Sequence, residues 1–264
     1  MMMWHGLAQK GNRLNFALDH QLRRHPALPT RHVPDGLWNE YPDLVLPPTE
    51  RAPYAAGTDT ARVVSLMVGR RKIRQGESLF RQRDHFQHLY AVQSGSFKST
   101  LALVDGGEQV SDFHMTGELL GLDGVAEGLH ASSATALEDS EISTLSYTHL
   151  SELCCANTGG MQSAVMRLIS REVVRSNSHV VMLGSLNSAQ RLAAFLLNQS
   201  QRLSARGYSA IEFNLKMTRG EIGSFLGMTL ETVSRTFTEL QQQRLLAVDR
   251  RHIVISNLDG LAQV

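Results

Sequence analysis

The pattern of hydrophobic positions changes along the chain, and each pattern predicts a different kind of element. Residues 1–60 contain all seven prolines, which interrupt helices and strands, so we predict a partly mobile N-terminal arm. The histidines of this arm follow no metal-binding spacing, and we predict no metal site. Residues 61–158 instead carry short apolar runs separated by glycine turns, a pattern typical of a β-roll or jelly roll. These runs are Ser78–Phe80, Leu89–Val92, Phe97–Leu103, Gln109–His114, Ala134–Leu137 and Ile142–Leu145.

Residues 159–186 change to the pattern of one long helix. Its apolar positions alternate spacings of three and four, which is typical of a coiled-coil seam. The seam consists of Met166, Ile169, Val173, Ser176, Val180 and Leu183. Val165 and Leu168 widen the apolar surface and can lie against the roll. A seam together with a second apolar face predicts that the helix pairs with its copy in a two-fold dimer; the alternative is a core helix within one chain.

The stretch Met217–Leu240 predicts two short helices joined by a glycine turn. Thr218 and Glu221 form the T-x-x-E capping box that starts the first helix. Gly227 ends this helix, because glycine adopts the positive φ that a helix end usually requires. Gly223 allows the two helices to approach each other closely. Residues 187–264, which contain this stretch, form the predicted third domain.

The second of these helices begins at Thr229 and has an inward and an outward face. The inward residues recur at i, i+4 and i+7 and are Val233, Phe237 and Leu240. The outward residues fall at i, i+3 and i+4 and are Glu231, Ser234 and Arg235. Arginine can contact guanine O6 and N7, glutamate can accept from cytosine N4, and serine can do either, so this face suits the major groove of DNA. The alternative is an ordinary packed helix pair whose outward side chains are only solvated.

Two short β-type runs follow the helices and predict a wing hairpin. They are Leu245–Val248 and His252–Ile255, separated by Asp249, Arg250 and Arg251. The basic tip of this hairpin could contact phosphate.

Composition limits the class of protein. The chain has 264 residues, 42% hydrophobic content and a net charge of +1, so any DNA affinity must come from a local patch. No apolar run approaches the roughly 18 residues of a membrane span, and the N-terminus lacks a signal-peptide core, so we expect a cytoplasmic protein without membrane contact. No catalytic motif is present, and we predict that the protein is not an enzyme.

The helix-turn-helix stretch closely resembles the recognition motif of the FNR branch of the CRP/FNR transcription regulators. The resemblance is carried by M-T-R-G-E-I-G, L-G-M-T and E-T-V-S-R, the last at Glu231–Arg235. This resemblance implies an α+β chain with a cyclic-nucleotide-binding-like β-roll, a long dimerisation helix and a winged helix-turn-helix. In that family the matching Glu, Ser and Arg read a TTGAT half-site, which implies those roles for Glu231, Ser234 and Arg235. To the DNA interface we also assign Thr218, Arg219, Thr229, Thr232, Arg250 and Arg251.

The resemblance extends to the roll, where K-I-R-Q-G-E-S-L-F and L-Y-A-V-Q-S-G-S-F-K are similar to the family's opening strands. Arg83 replaces a family glycine, so we expect that turn to differ. Relatives that respond to cyclic AMP bind it with a Glu and an Arg-Ser pair. Leu122 and Ser132-Ser133 stand at these positions, and the missing charge disfavours cyclic AMP. We interpret His130, nearby in sequence, as a loop histidine rather than as a substitute for the missing cation.

No cysteine precedes Cys154 and Cys155, so the four thiolates that an iron-sulfur cluster generally needs are missing, and we predict no cofactor. Adjacent cysteines rarely bridge comfortably, which also disfavours a thiol redox switch.

A hairpin tip is predicted at Asp105, Gly106, Gly107 and Glu108. In FNR-like activators the corresponding loop touches RNA polymerase, and the alternative is a solvated turn. The resulting hypothesis is a homodimeric regulator that binds double-stranded DNA at a TTGAT-N4-ATCAA-like palindrome and contacts RNA polymerase. A family member gated by a small molecule, haem or a gas adduct in the roll is the alternative. A module that regulates an attached enzyme is disfavoured by the lack of catalytic motifs.

Overall fold

The computed structural model describes residues 59–156 and 160–264. Most of the predicted arm, including its histidines, therefore lies outside the described residues. Helix α1 spans Asp59–Val64, so it begins inside the segment that we assigned to the arm. Asp59 is buried and accepts hydrogen bonds from Arg167 Nε at 2.8 Å and Nη2 at 2.6 Å, and from Arg171 Nη2 at 3.1 Å. These contacts fasten α1 to the long helix.

Two four-stranded antiparallel sheets form the roll. One has the order β1-β8-β3-β6 and the other the order β2-β7-β4-β5. The strands are β1 (Val68–Ile73), β2 (Ser78–Phe80), β3 (His88–Ser94), β4 (Ser96–Ala102), β5 (Glu108–Met115), β6 (Leu119–Leu120), β7 (Ser133–Ala136) and β8 (Ser140–Ser146). The inward side chains of both sheets share one core, which includes Ile73, Val92, Phe97 and Ile142.

Each of the six predicted runs lies in or overlaps one strand. The runs missed β1 and β6. Strand β1 reads VGRRKI and is exposed at every position except Ile73, so it has no hydrophobic alternation to detect. Strand β6 has only two residues, which is too short for a pattern.

The turn at Arg83 is left-handed, and the expectation that it differs from the family's turn stays a prediction. Arg83 has φ +72° and is exposed, so an arginine here adopts the left-handed conformation that favours glycine. Non-glycine residues adopt this conformation at some cost, and the long side chain is free to extend into solvent.

Two helices follow the roll: α2 (Tyr147–Cys155) and the long helix α3 (Met161–Ser185). Gly160 precedes α3 in the left-handed conformation, with φ 72°. The buried residues of α3 are Met161, Ala164, Ser178 and Met182. Val165 and Leu168 pack against the cluster formed by α1, α2 and the roll, as predicted.

The third part of the chain packs around one large core. It contains α4 (Ser188–Ser204), β9 (Glu212–Asn214), α5 (Arg219–Leu226), α6 (Leu230–Gln242), β10 (Leu246–Asp249), β11 (His252–Ile255) and α7 (Leu258–Leu261). The side chain of Asn187 accepts from the Gln190 amide in a capping box at the start of α4. Strand β9 has three residues and leads into α5. Strands β10, β11 and β9 form a three-stranded antiparallel sheet beside the helices.

Candidate nucleic-acid interface

Helices α5 and α6 form the predicted helix-turn-helix, and local contacts fix both ends of the turn. The Thr218 hydroxyl accepts from the Glu221 amide at 3.2 Å, and the Glu221 carboxylate accepts from the Thr218 amide at 2.6 Å. Gly227 ends α5 with φ 62°. A Cβ at Gly223 would lie 2.6 Å from the Met228 carbonyl oxygen, so only glycine fits between the two helices. The predicted caps, turn and close approach are all present.

Helix α6 separates its two faces as the spacing predicts. Val233, Phe237 and Leu240 are buried, and Glu231, Ser234 and Arg235 are exposed. The pKa of Glu231 is lowered by a hydrogen bond to its own backbone amide, by the Thr229 hydroxyl and by the charge of Arg235. Glu231 is therefore a carboxylate at neutral pH, ready to accept a hydrogen bond. The Ser234 hydroxyl donates to the Leu230 carbonyl at 2.9 Å, which leaves its lone pairs for an outside donor.

The N-terminus of α6 is held by two threonines that we assigned to the interface. The Thr229 hydroxyl accepts from the Thr232 amide at 3.1 Å, and the two hydroxyl groups lie 3.0 Å apart. Thr229 is exposed and Thr232 is half-buried. Both lie on the first turn of the helix, the part that a recognition helix brings to the DNA.

The wing is a tight hairpin with an arginine pair at its tip. Asp249 pairs with His252, so Arg250 and Arg251 alone form the loop. Arg250 has φ 55°, and the Arg251 carbonyl accepts from the Leu215 amide at 2.9 Å, which ties the tip to the segment before α5. Both arginine side chains are exposed.

Arg219 has a packing role that the sequence did not reveal. Its guanidinium lies 3.4 Å from the centre of the Phe237 ring, and its Nη2 donates to the Arg250 carbonyl at 3.3 Å. Burial lowers the pKa of this arginine, and its Nη1 is buried without a hydrogen-bond partner among the described residues. Arg219 thus joins α5, α6 and the wing, and its assignment as a DNA contact stays a prediction.

Comparison with known proteins decides the family. Residues 190–264 match the family model described as a Crp-like helix-turn-helix domain, and residues 70–157 match the one described as a cyclic nucleotide-binding domain. The transcriptional regulatory protein btr of Bordetella pertussis is 40% identical over 206 residues, which cover 78% of this chain and 85% of btr. The chain belongs to the CRP/FNR family of transcription regulators.

This CRP/FNR regulator is also similar to a second curated relative and to a solved structure. The fumarate and nitrate reduction regulatory protein of Escherichia coli is 39% identical over 200 residues, covering 76% of this chain and 80% of that protein. The structure of FixK2 from Bradyrhizobium japonicum has a TM-score of 0.67 at 28% identity and covers 73% of this chain and 94% of that chain. The predicted resemblance and the α+β fold class are confirmed, and the protein is a DNA-binding transcription regulator. Within residues 59–156 and 160–264, every helix is too short or too polar to span a bilayer.

The seam of this CRP/FNR chain lies on the outer face of α3. Met166, Val173 and Val180 are 57%, 54% and 68% exposed, and Ser176 is exposed beside them. The remaining seam residues, Ile169 and Leu183, are half-buried. An unusually apolar stripe therefore faces outward along the helix.

The predicted polymerase loop connects β4 and β5. The Leu103 amide donates to the Gly107 carbonyl at 2.8 Å, and the Asp105 carboxylate accepts from the Gly107 amide at 2.9 Å. Gly106 has φ 85°, and Glu108 is the first residue of β5 rather than part of the turn. Val104 at the tip is fully exposed.

Ser132, which the resemblance aligned with the phosphate-binding Arg-Ser pair, is bonded to a carboxylate of the chain. Asp123 Oδ2 accepts from both the amide and the hydroxyl of Ser132 at 2.8 Å, and Asp123 Oδ1 lies 3.3 Å from His130 Nδ1. His130 is buried and stacks on Phe80, with ring centres 3.7 Å apart. His130 lies in a loop, as we interpreted it, but its ring is buried against Phe80 rather than solvated. That it does not replace the missing cation stays a prediction.

A buried group of charged residues lies between the roll and α4 and was not predicted from the sequence. Glu118 of the roll meets Arg202 and Arg206, and Arg175 of α3 meets Asp112. The sequence did contain a sign of this burial, because Arg202 falls on the same face of α4 as the buried Leu192 and Phe195. An arginine on an apolar helix face needs a buried anion, and this anion is 84 residues away in the sequence.

Proposed function

We propose that this protein binds as a homodimer to a palindrome of the TTGAT-N4-ATCAA type and contacts RNA polymerase when bound. The supporting observation is the outward triplet of Glu231, Ser234 and Arg235 on α6, flanked by the basic wing tip. Each side chain has donor or acceptor groups that match a base edge in the major groove. A two-fold dimer presents this triplet twice, which explains a palindromic site.

The base-reading part of this proposal is tested with Arg235→Ala and Arg250→Gln in a mobility-shift assay. Loss of a bidentate guanine contact costs roughly 1–3 kcal/mol, so Arg235→Ala should bind TTGAT weakly and should no longer distinguish a changed guanine. Arg250→Gln is the matched control, because it removes a charge at the wing tip and should weaken all DNA equally. If Arg235→Ala also weakened specific and non-specific DNA equally, Arg235 would be a phosphate contact only.

The dimer part rests on the exposed apolar stripe of α3. Full burial of such a side chain contributes about 1.5–3 kcal/mol, so Met166, Val173 and Val180, each about half exposed, would contribute about 1 kcal/mol apiece. Pairing with a second copy covers the stripe on both chains at once. Ser176 adds little cost, because a helix serine can bond to its own backbone.

Sedimentation of Val173→Glu at micromolar concentration tests the dimer. A glutamate on the seam faces its own copy across the two-fold axis, and burial of both charges should leave monomers. Val68→Glu is the matched control, because Val68 is 70% exposed on β1, away from the seam. Sedimentation of Val173→Glu as a dimer would refute this interface.

Contact with RNA polymerase is proposed for the tip formed by Asp105, Gly106, Gly107 and Glu108. Its exposed charges and the exposed Val104 offer a small surface to a partner protein. In reconstituted transcription, the double variant Asp105→Asn, Glu108→Gln should reduce activation while DNA affinity stays unchanged. Glu127→Gln, on another exposed turn of the roll, is the control and should activate normally. Equal activation by both variants would contradict the contact.

We also propose that neither cyclic AMP nor an iron-sulfur cluster is the cofactor. The donors of Ser132 already serve Asp123, whose charge would repel a phosphate placed beside it. The cysteines of the chain are Cys154 and Cys155, half the number of thiolates that such clusters generally take. The residues present therefore fit neither group.

A further inference from the structure

A cluster of buried charges joins the roll to the first helix of the DNA-binding domain. Glu118 lies in the turn between β5 and β6, and its carboxylate accepts from Arg202 Nη2 at 2.6 Å and from Arg206 Nη2 at 2.7 Å. The exposed fractions of these three side chains are 7%, 4% and 6%. Arg202 belongs to α4, and Arg206 follows its C-terminus. The roll thus holds the end of α4 through contacts that water barely reaches.

The same cluster includes the long helix α3. Arg175 contacts the carboxylate of Asp112 on β5 and lies 3.9 Å from Glu118. The Phe113 carbonyl accepts from both Arg175 at 3.2 Å and Arg202 at 2.7 Å. One carbonyl oxygen of β5 therefore links α3 to α4. Because Arg175 is next to seam residue Ser176, the cluster links the proposed dimer seam to the DNA-binding domain.

Glu118 is charged inside this cluster. Burial alone would raise the pKa of Glu118, but Arg202, Arg175 and Arg206 lower it to about 2. Several arginines on one carboxylate give short, directional hydrogen bonds. A buried ion pair often adds little net stability, because desolvation offsets the attraction, but a misplaced partner leaves a charge uncompensated. Such a cluster therefore favours one relative position of the elements that it joins.

A second set of contacts holds α5 against the roll. Lys98 on β4 donates to Glu221 at 2.8 Å, and the Val110 amide donates to the Ser224 hydroxyl at 2.8 Å. His179 of α3 stacks on Phe225, with ring centres 4.1 Å apart. Only two residues separate α3 from α4. Because the DNA-binding domain is held by the buried charges at α4 and by these contacts at α5, it cannot rotate freely about this short connection.

We propose that Glu118, Arg202 and Arg206 are positioning residues that select the spacing between the two half-sites. This inference rests on the proposed dimeric binding to a palindrome. One added base pair moves a half-site by about 3.4 Å and rotates it by about 35° around the DNA axis. A dimer discriminates such spacers only if both recognition helices are held firmly relative to the seam. The cluster joins the seam helix, the roll and α4, so it supplies this rigidity.

The test measures the affinity of wild type and Glu118→Gln for palindromes with spacers of different length and for a single half-site. Glutamine has the same shape but leaves Arg202 and Arg206 without their anion. Wild type should lose about 10-fold or more in affinity when one base pair is added to its preferred spacer, because the DNA must be twisted to restore the fit. Glu118→Gln should lose much less, with unchanged affinity for one half-site.

Spacer selectivity separates positioning from stability, because a merely less stable protein loses affinity for every site in proportion. Glu152→Gln, an exposed carboxylate on α2, is the matched control and should keep the selectivity of wild type. If Glu118→Gln does not fold, Arg206→Gln at the edge of the cluster replaces it and should relax the selectivity likewise. Unchanged selectivity in the folded variant overturns this inference alone. Absence of any preference for a palindrome in wild type overturns the proposed function and the inference together.

Discussion

Gly223 provides a direct test of how the helix-turn-helix is held together. A Cβ at this position would lie 2.6 Å from the Met228 carbonyl oxygen, whereas a Cβ at Gly220 on the same helix would meet nothing closer than 3.9 Å. Alanine in place of glycine stabilises a helix by up to about 1 kcal/mol. This gain is common to Gly220→Ala and Gly223→Ala, so their difference isolates the steric overlap. Forced overpacking usually costs about 1–3 kcal/mol, and we expect Gly223→Ala to be less stable than Gly220→Ala by that amount.

Thermal denaturation and DNA binding of the two variants provide the measurement. A difference of 1–3 kcal/mol corresponds to a Tm difference of about 2–12 °C for a chain of this size. The overlap is with a backbone atom whose residue also donates to the Gly223 carbonyl at 2.8 Å, so α6 must move to relieve it. Gly223→Ala should therefore lose specific DNA binding, while Gly220→Ala keeps it. Equal stability and equal DNA affinity of the two variants would show that the close approach of α5 and α6 has no such role.

The charged and thiol groups give three more expected outcomes. The pKa of Glu118 is about 2 in the folded state against a usual 4.5, so the stability that its charge contributes is complete above pH 4.5 and is lost as pH falls toward 2. In urea unfolding, the free energy of unfolding of wild type relative to Glu118→Gln should fall by up to about 3 kcal/mol over this range. Burial, and then the neighbouring Cys155, raise the pKa of Cys154, so iodoacetamide should alkylate Cys154 more slowly than the exposed Cys155. Mass spectrometry that shows Cys154 alkylated before Cys155 would contradict this. Calorimetry should detect no binding of millimolar cyclic AMP, because Asp123 occupies the donors of Ser132.

The helix-turn-helix could be predicted almost completely because its determinants are local. The capping threonine and glutamate lie three residues apart, and Gly227 acts on the residues directly around it. The buried face of α6 follows from a period of 3.6 within a single helix. Side chains that interact within one helical turn leave a pattern that is visible in the sequence alone.

The charges between domains could not be predicted, because they depend on contacts across long stretches of the chain. Glu118 and Arg202 are 84 residues apart, and Lys98 and Glu221 are 123 residues apart. Glu221 illustrates the limit, since the sequence identifies it as a helix cap but gives no sign that it also accepts from Lys98. The exposed strand β1 was missed for a different reason, because its outward arginines and lysine hide any alternation.

The segment between Gly117 and Gly124 carries two carboxylates with separate partners, and this bears on how the roll acts. Glu118 contacts arginines of α4 and the region after it, while Asp123 contacts Ser132 and lies beside His130 within the roll. Each carboxylate is compensated by side chains of the chain itself, so neither requires an added cation or a bound ligand to be stable there. Glu118 therefore links the end of α4 to the same segment of the roll that carries Asp123. A signal that moves this segment must therefore break contacts that also hold the end of α4.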